Sequence, residues 1–351
     1  MKKLLLVFTL VIAAVALIGC DLTTTAITTT TTAAPVAVEF PVDGEFTAYS
    51  LTVSSNKPQV TMVTVTIENG EIVAFNLDCR QGTRTNTGTT EAPAYTWAWN
   101  AQTKKELGYG YKMHYSQYTA DPAVTTPTLE GYQTWMEAQT TYKEWFQQAN
   151  ILEALWLEDG VYAAHVDANG EFTDAAGVSV SNSEYIKLAR QAVDLARAGK
   201  FQTFVCSGTD FYFAYMIVNN LGEVTELKID TIQATKDATA GTFVWNPYSK
   251  QELGGNYGMK GVGAAQVFSA GTWTASATEK TAYEWYEQAN LIAAWVLANG
   301  YDENLQSIGG RGLSIDGTTL LDGTAGVTVH SDTYVTLLDQ LFVLPGEGAL
   351  K

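Results

Sequence analysis

Two segments of the chain alternate apolar and polar residues around a turn signal. In "VTMVTVTIENGEIVAFNLD", residues 60–78, Val63, Val65 and Ile67 alternate with threonines up to Asn69-Gly70, a dipeptide that favours a tight hairpin. "FYFAYMIVNNLGEVTELKID", residues 211–230, repeats the arrangement and predicts a second β-hairpin. Elsewhere the period becomes helical. Trp145, Ala149, Leu152 and Trp156 recur on one helix face, as do Trp285, Ala289, Ile292 and Val296, and both stripes read as core. Further helices are expected from Ser183 to about Ala198 and from Asp332 to about Phe342, with Ser181 and Glu184 spaced as a capping box at the first. Hairpins followed by helices predict an α+β fold: a tandem duplication of a β-hairpin/sheet domain packed with helices.

The duplication is legible in four blocks that keep one order. The hairpins align so that Gly70 meets Gly222 and Asp78 meets Asp230. "WNAQTKKELGYGYKM", from Trp99 to Met113, matches "WNPYSKQELGGNYGM", from Trp245 to Met259, without a gap. "KEWFQQANIL", from Lys143, matches "YEWYEQANLI", from Tyr283. "AAGVSV" at 175–180 returns as "TAGVTV" at 324–329. The expected organisation is a signal peptide over 1–19, a linker over 20–38, one repeat over 39–200 and a second over 201–351, each of ordinary domain size.

The linker boundaries follow from composition. Lys2 and Lys3 precede an apolar run from Leu4 to Gly19, shorter than the about 20 residues a spanning helix needs and built like a secretory signal. It ends in "LIGC", which resembles a bacterial lipobox. Cys20 would carry the lipid and fix the chain to the extracytoplasmic face of the membrane. The Thr-rich "DLTTTAITTTTTAAP" that follows cannot bury enough surface to order itself and reads as a spacer. Among the 351 residues, 46% hydrophobic content excludes a mainly disordered chain, and a net charge of −17 without a basic stripe argues against nucleic acid. Cys79 and Cys206 fall at non-equivalent positions of the two repeats and read as free or incidental, although an exported chain permits a disulfide.

The small-Gly-Val-hydroxyl-Val phrase has two readings. As structure, Gly177 and Gly326 supply a turn, the valines anchor it, and Ser179 or Thr328 leads into a helix cap. As chemistry, the hydroxyl oxygen has a task of its own. "DGTAGVT", from Asp322 through Gly326 and Val327 to Thr328, resembles the flavinylation motif of FMN-binding domains, Asp-x-x-(Ser/Thr/Ala)-Gly-(Ala/Val)-(Thr/Ser). The first copy departs from it. Asp174 lies three residues before Gly177, whereas Asp322 lies four before Gly326, and Ser179 replaces the usual threonine.

Together with "ELGxxYxM", "EWYEQA", the lipobox and the polar linker, the motif resembles the flavinylated surface lipoproteins of Gram-positive extracellular electron transfer, the pheromone-encoding lipoprotein A type. That likeness spans essentially the whole mature chain. It implies FMN joined by a phosphodiester to Thr328, and to Ser179 if the first motif is used, by a flavin transferase that takes FMN from FAD. It further implies electrons received from a membrane NADH dehydrogenase through quinol and released to ferric iron or soluble flavin, by a carrier rather than an enzyme. Tyr111, Tyr257, Met113 and Met259 are candidates for ring contact or for plain packing. Trp145 and Trp285 favour the core, and Asn150 and Asn290 are open between a buried hydrogen-bonding role and a flavin contact.

Other chemistries lack a constellation. His114, His165 and His330 have no neighbours at metal-ligand spacing, no phosphate loop or nucleophile elbow occurs, and "GGRG" at 309–312 reads as a loop. The rival from another class is a surface lipoprotein whose duplicated domain binds a ligand or peptide non-covalently.

Overall fold

The computed structural model describes residues 39–351 except 163–165, 168, 170, 172, 174 and 175. The signal and linker segments with Cys20, together with His165 and Asp174, lie outside the described residues.

The chain folds as an α+β protein whose element order is used twice. The first repeat opens with an antiparallel sheet of β1 (Gly44–Ser54), β2 (Lys57–Glu68), β3 (Glu71–Asn86) and β4 (Tyr95–Trp99), paired in that order. The β2–β3 hairpin turns at Asn69 and Gly70, with φ of 53° and 75°, the left-handed pair a two-residue loop needs. The second repeat opens with β5 (Lys200–Ser207), β6 (Asp210–Val218) and β7 (Val224–Ile232), followed by the β8 (Ala234–Asp237) and β9 (Thr242–Trp245) pair. In β2, Val63, Val65 and Ile67 face the core and threonines alternate away from it; in β6, Ala214, Met216 and Val218 are buried and alternate with the half-buried Phe213, Tyr215 and Ile217.

Short helices α1 (Lys104–Leu107) and α6 (Lys250–Leu253) follow the sheets, each closed by a capping box, Thr103 with Glu106 and Ser249 with Glu252. The long helices α4 (Trp145–Asp159) and α7 (Trp285–Asn299) bury the predicted apolar stripes, Trp145 to Trp156 and Trp285 to Val296. They pack on β3 and β7. The closing helices α5 (Ser183–Arg197) and α8 (Asp332–Phe342) cover β1–β2 and β5–β6.

The expected capping box at α5 does not form. Its N-cap is Asn182, without a side-chain cap bond. Ser181 instead donates its hydroxyl to Glu171 at 2.5 Å, and Glu171 also accepts the Asn182 amide. A carboxylate from the preceding loop thus caps the helix, favoured by the free amides and the dipole at that end.

Between α1 and α4 the first repeat inserts α2 (Tyr115–Ala120) and α3 (Leu129–Glu137), closed around Tyr118, Tyr132 and Met136. The second repeat has instead a hairpin, β10 (Ala264–Ser269) and β11 (Thr272–Lys280), whose Trp273 indole donates to the Ile308 carbonyl at 2.7 Å. It lies over the small pair β12 (Gln306–Ile308) and β13 (Arg311–Ser314).

The two repeats meet through equivalent residues. Phe46 and Phe201, each two residues after a glycine at the head of its strand, stack with centroids 4.1 Å apart. Tyr49 meets Phe204 at 5.4 Å, and Trp99 stacks with Trp245 at 6.1 Å. Residue against its own counterpart is the mark of an isologous, two-fold-like interface. At one edge the end of the chain returns to the start: Glu45 donates its amide to the Leu344 carbonyl at 2.9 Å. A Cβ at Gly44 would lie 2.5 Å from that same oxygen, so only glycine fits there.

Truncation of Phe201 to alanine is expected to cost about 3–5 kcal/mol and to shift a single urea transition seen alike by tryptophan fluorescence and far-UV circular dichroism. Two separated transitions would show that the repeats unfold independently.

Candidate functional site

The glycine phrase is held from below by a side chain absent from the sequence-based candidates. On α7, Gln288 is fully buried. Its Oε1 accepts the Thr328 amide at 2.7 Å, the Val329 amide at 3.0 Å and the Thr328 hydroxyl at 3.2 Å. Its Nε2 donates to the Tyr283 carbonyl at 3.3 Å and lies 3.8 Å from the Met259 sulfur. On α4, Gln148 repeats the set. Its Oε1 accepts from the Ser179 amide at 2.7 Å, the Val180 amide at 3.0 Å and the Ser179 hydroxyl at 3.4 Å. Its Nε2 donates to the Lys143 carbonyl at 2.8 Å and contacts the Met113 sulfur at 3.5 Å.

One helical turn earlier a glutamate does the same for the loop before the helix. Glu144 accepts the Met113 amide at 2.9 Å and the Tyr132 hydroxyl, and Glu284 accepts the Met259 and Lys260 amides at 2.9 and 3.0 Å. Both carboxylates are buried. Glu and Gln four residues apart share one face of the helix, so α4 and α7 each join the "YxM" loop to the hydroxyl turn.

The phrase forms the turn of the structural reading, and each hydroxyl leads into a cap that is a separate residue. Ala176-Gly177 and Ala325-Gly326 form turns, with Val327 and Val329 buried. The caps of α5 and α8 are Asn182 and Ser331, three residues past each hydroxyl. A Cβ at Gly326 would stand 2.6 Å from the Tyr283 ring, whereas one at Gly177 would meet only the flexible end of Lys143, at 2.8 Å from Cε. Gly177 also has φ of +86°.

The other predicted residues divide. Met113 and Met259 touch the clamping amides, and Tyr111 and Tyr257 stand half-buried beside the core. Asp322 is exposed in the turn that opens the phrase, and Thr324, not singled out from the sequence, is buried with its hydroxyl on the Leu321 carbonyl at 2.8 Å. Asn150 and Asn290 are exposed, which corrects the expectation of a buried amide there. The buried amide is two residues earlier in each helix. Its signal was a glutamine kept in both copies at the fourth position after a kept glutamate, on the same side as Trp145 and Leu152.

Around the hydroxyls the repeats differ in charge. Arg311 on β13 donates to the Thr328 carbonyl, and its second amino nitrogen meets His330 Nε2 at 3.0 Å. In the first repeat Glu171 holds Ser181, the counterpart of His330, and Lys143 stands under Gly177 where Tyr283 stands under Gly326. Cys79 and Cys206 are free thiols, and burial pushes the Cys206 thiol up to about 12. Among the described residues no group of His, Cys, Asp and Glu can hold a metal ion.

No family model matches the chain, and no curated protein matches it. A solution NMR structure of a Clostridium thermocellum protein from a structural-genomics programme is similar at 18% identity, over 43% of this chain and 89% of its own, with a TM-score of 0.23.

Replacing Gln288 with leucine removes the acceptor of three bonds at once and is expected to destabilise the protein by at least about 2 kcal/mol, with faster hydrogen exchange at the Thr328 and Val329 amides. Asn290→Ala, on the exposed side, should stay within about 0.5 kcal/mol of wild type. A pH test addresses the α5 cap. The Ser181 hydroxyl and the helix amides hold the Glu171 carboxyl below its ordinary 4.5. Its stabilisation is present above the unfolded-state value and lost as pH falls through the folded one. Glu171→Gln should therefore lower the melting temperature at pH 7, and the gap should narrow as the pH falls below the ordinary glutamate value and close through the lower, folded one.

Proposed function

We propose that this chain is a membrane-anchored, extracytoplasmic electron carrier that bears FMN covalently on Thr328 and, more weakly, on Ser179. The observation that carries the reading is the duplicated clamp: a hydroxyl at the end of a flavinylation-like phrase, half-exposed at Thr328 and exposed at Ser179, set in place by a fully buried glutamine.

The residues at Thr328 suit such a group. Gly326 lets the turn that carries Thr328 lie directly on the half-exposed Tyr283 ring, which a Cβ would approach to 2.6 Å. The Arg311 guanidinium, already on the Thr328 carbonyl, supplies positive charge where a phosphodiester would bring negative charge. Thr328 would hold the group, with Tyr257, Met259 and Tyr283 as apolar neighbours. When bound, its isoalloxazine accepts and releases electrons, while the chain supplies attachment, orientation and solvent control. Gln288 fixes the hydroxyl through its proton, and Glu284 keeps the Met259 loop closed on the helix. At Ser179 the clamp is the same, but Lys143 replaces the ring and Glu171 adds negative charge nearby, which supports the weaker assignment.

A covalent link suits work outside the cell, where a dissociated cofactor is lost by dilution. Lipid on Cys20 and the Thr-rich spacer would tether the folded unit; no helix among the described residues is long and apolar enough to cross a membrane. The chain would be the substrate of a flavin transferase, take electrons from a membrane NADH dehydrogenase through quinol and pass them to ferric iron or free flavin.

The test is an intact mass spectrum, after denaturation, of the mature chain co-expressed with a flavin transferase, beside Thr328→Ala, Ser179→Ala and the double substitution. Two FMN units, one lost with each substitution, are expected. One unit lost only with Thr328→Ala would confine the function to the second repeat. No addition where a control domain is modified would overturn the carrier reading in favour of a non-covalent binding lipoprotein.

A further inference from the structure

Each repeat buries a lysine that has no carboxylate partner. Lys104 and Lys250 open α1 and α6, and both are 8% exposed. Among the described residues neither forms an ion pair, although the next residue, Lys105, is given Glu153 at 2.5 Å. The ammonium groups face aromatic rings instead. Lys104 Nζ lies 4.8 Å from the Tyr111 centroid and 5.0 Å from that of Trp145; Lys250 Nζ lies 5.0 Å from Tyr257 and 5.2 Å from Trp285. Ring faces return only part of what an ammonium loses on leaving water. A buried cation kept twice at that cost calls for a use.

Its position supplies one. Trp285, under Lys250, is three residues before Gln288 on α7, a rise of about 4.5 Å along the helix. Tyr257, over Lys250, is two residues before Met259, whose sulfur touches the Gln288 amide. The ring that faces the ammonium and the glutamine that anchors the hydroxyl therefore lie about one turn apart on one face of the helix, and Trp145, Tyr111, Met113 and Gln148 repeat this in the first half.

We propose that Lys104 and Lys250 are the cations that face the ring carried at the neighbouring turn and raise its reduction potential, a role that rests on the flavin reading. Reduction by two electrons from an external donor and one proton from solvent leaves one negative charge on the ring. A fixed cation favours that state over the neutral oxidised one, and the lysine keeps its own proton throughout. The titratable groups facing Lys104 are Cys79, Tyr111 and Tyr185, and burial pushes the Cys79 thiol and the Tyr185 phenol up, so they are uncharged at neutral pH. Lys250 sits in the field of Asp210 and Asp230, but burial outweighs them and holds its pKa below the ordinary value.

The experiment uses the mature chain with Ser179→Ala, loaded at Thr328 by a flavin transferase and checked by intact mass. Midpoint potentials are read by dithionite titration against reference dyes for Lys250, Lys250→Arg and Lys250→Met. The methionine variant should lose at least tenfold in preference for the reduced ring, about 30 mV for a two-electron couple, while arginine retains most of it. The flavin-free Lys250→Met protein should melt no lower than its parent, because a costly buried charge has been replaced by an apolar chain of similar reach. An unmoved potential, or a flavin-free methionine variant that melts lower or fails to fold, would make Lys250 a structural staple and overturn the proposal. Absence of flavin from the parent itself would overturn the carrier reading, and this role with it.

Discussion

A carboxamide sealed from water must find partners for its oxygen and its nitrogen, and in this protein that demand fixes the shape of the site. Gln288 takes two backbone amides and a hydroxyl on its oxygen, and a carbonyl and a thioether on its nitrogen. The turn, the Met259 loop and the residue just ahead of the helix are thereby fixed to one side chain. Breaking any one of them leaves the others with a buried polar group unsatisfied, which is costly. The turn follows from the helix beneath it. Among the three bonds on the carboxamide oxygen the hydroxyl's is the longest in both repeats, 3.2 and 3.4 Å against 2.7 to 3.0 Å for the amides. The hydroxyl contributes its proton to the clamp, while the two amides carry the shorter bonds.

The same logic extends to the whole molecule through the two-fold-like contact. Phe46 against Phe201 and Trp99 against Trp245 join the two sheets, with the opening strands β1 and β5 packed against each other. An interface built from a residue and its own counterpart tolerates little one-sided change, because a substitution alters only half of a matched pair. The elements far from it are under no such restraint. There the first repeat grows α2 and α3 around a tyrosine cluster, and the second grows the β10–β11 hairpin.

Much of this was legible in the sequence wherever a local signal and the tertiary demand agreed. Asn69-Gly70 needs left-handed backbone and has it, the tryptophan stripes face the core, and α5 and α8 begin at Ser183 and Asp332 as their patterns predict. The misses share a cause. Ser181 and Glu184 have the spacing of a capping box, but Glu171 from the preceding loop reaches the helix end first. Asn150 and Asn290 attract notice as polar residues beside an apolar stripe, yet the stripe's own phase turns them outward and brings Gln148 and Gln288 in. A buried polar residue reads from sequence like an exposed one unless its register is followed to the face it occupies. The lysines of α1 and α6 were hidden for the same reason, since lysine is rarely buried without a partner.

Duplication separates what the turn requires from what surrounds it. Glutamate, glutamine, methionine, tyrosine, tryptophan and lysine are kept at matching places in both halves, and they hold backbone to helix. Where the halves diverge, no backbone bond of the clamp is at stake. Lys143 gives way to Tyr283 under the glycine, and Glu171 on Ser181 gives way to Arg311 on His330. Two turns built alike thus stand in unlike fields. A negatively charged group at Thr328 meets a guanidinium and a ring; at Ser179 it meets an ammonium partly offset by a carboxylate. At exposed sites such charges are screened within about 8–10 Å at physiological salt, so each hydroxyl responds to its own neighbours and not to the net charge of −17. The inequality of the two sites is a property of these few side chains, laid over a scaffold that is the same in both.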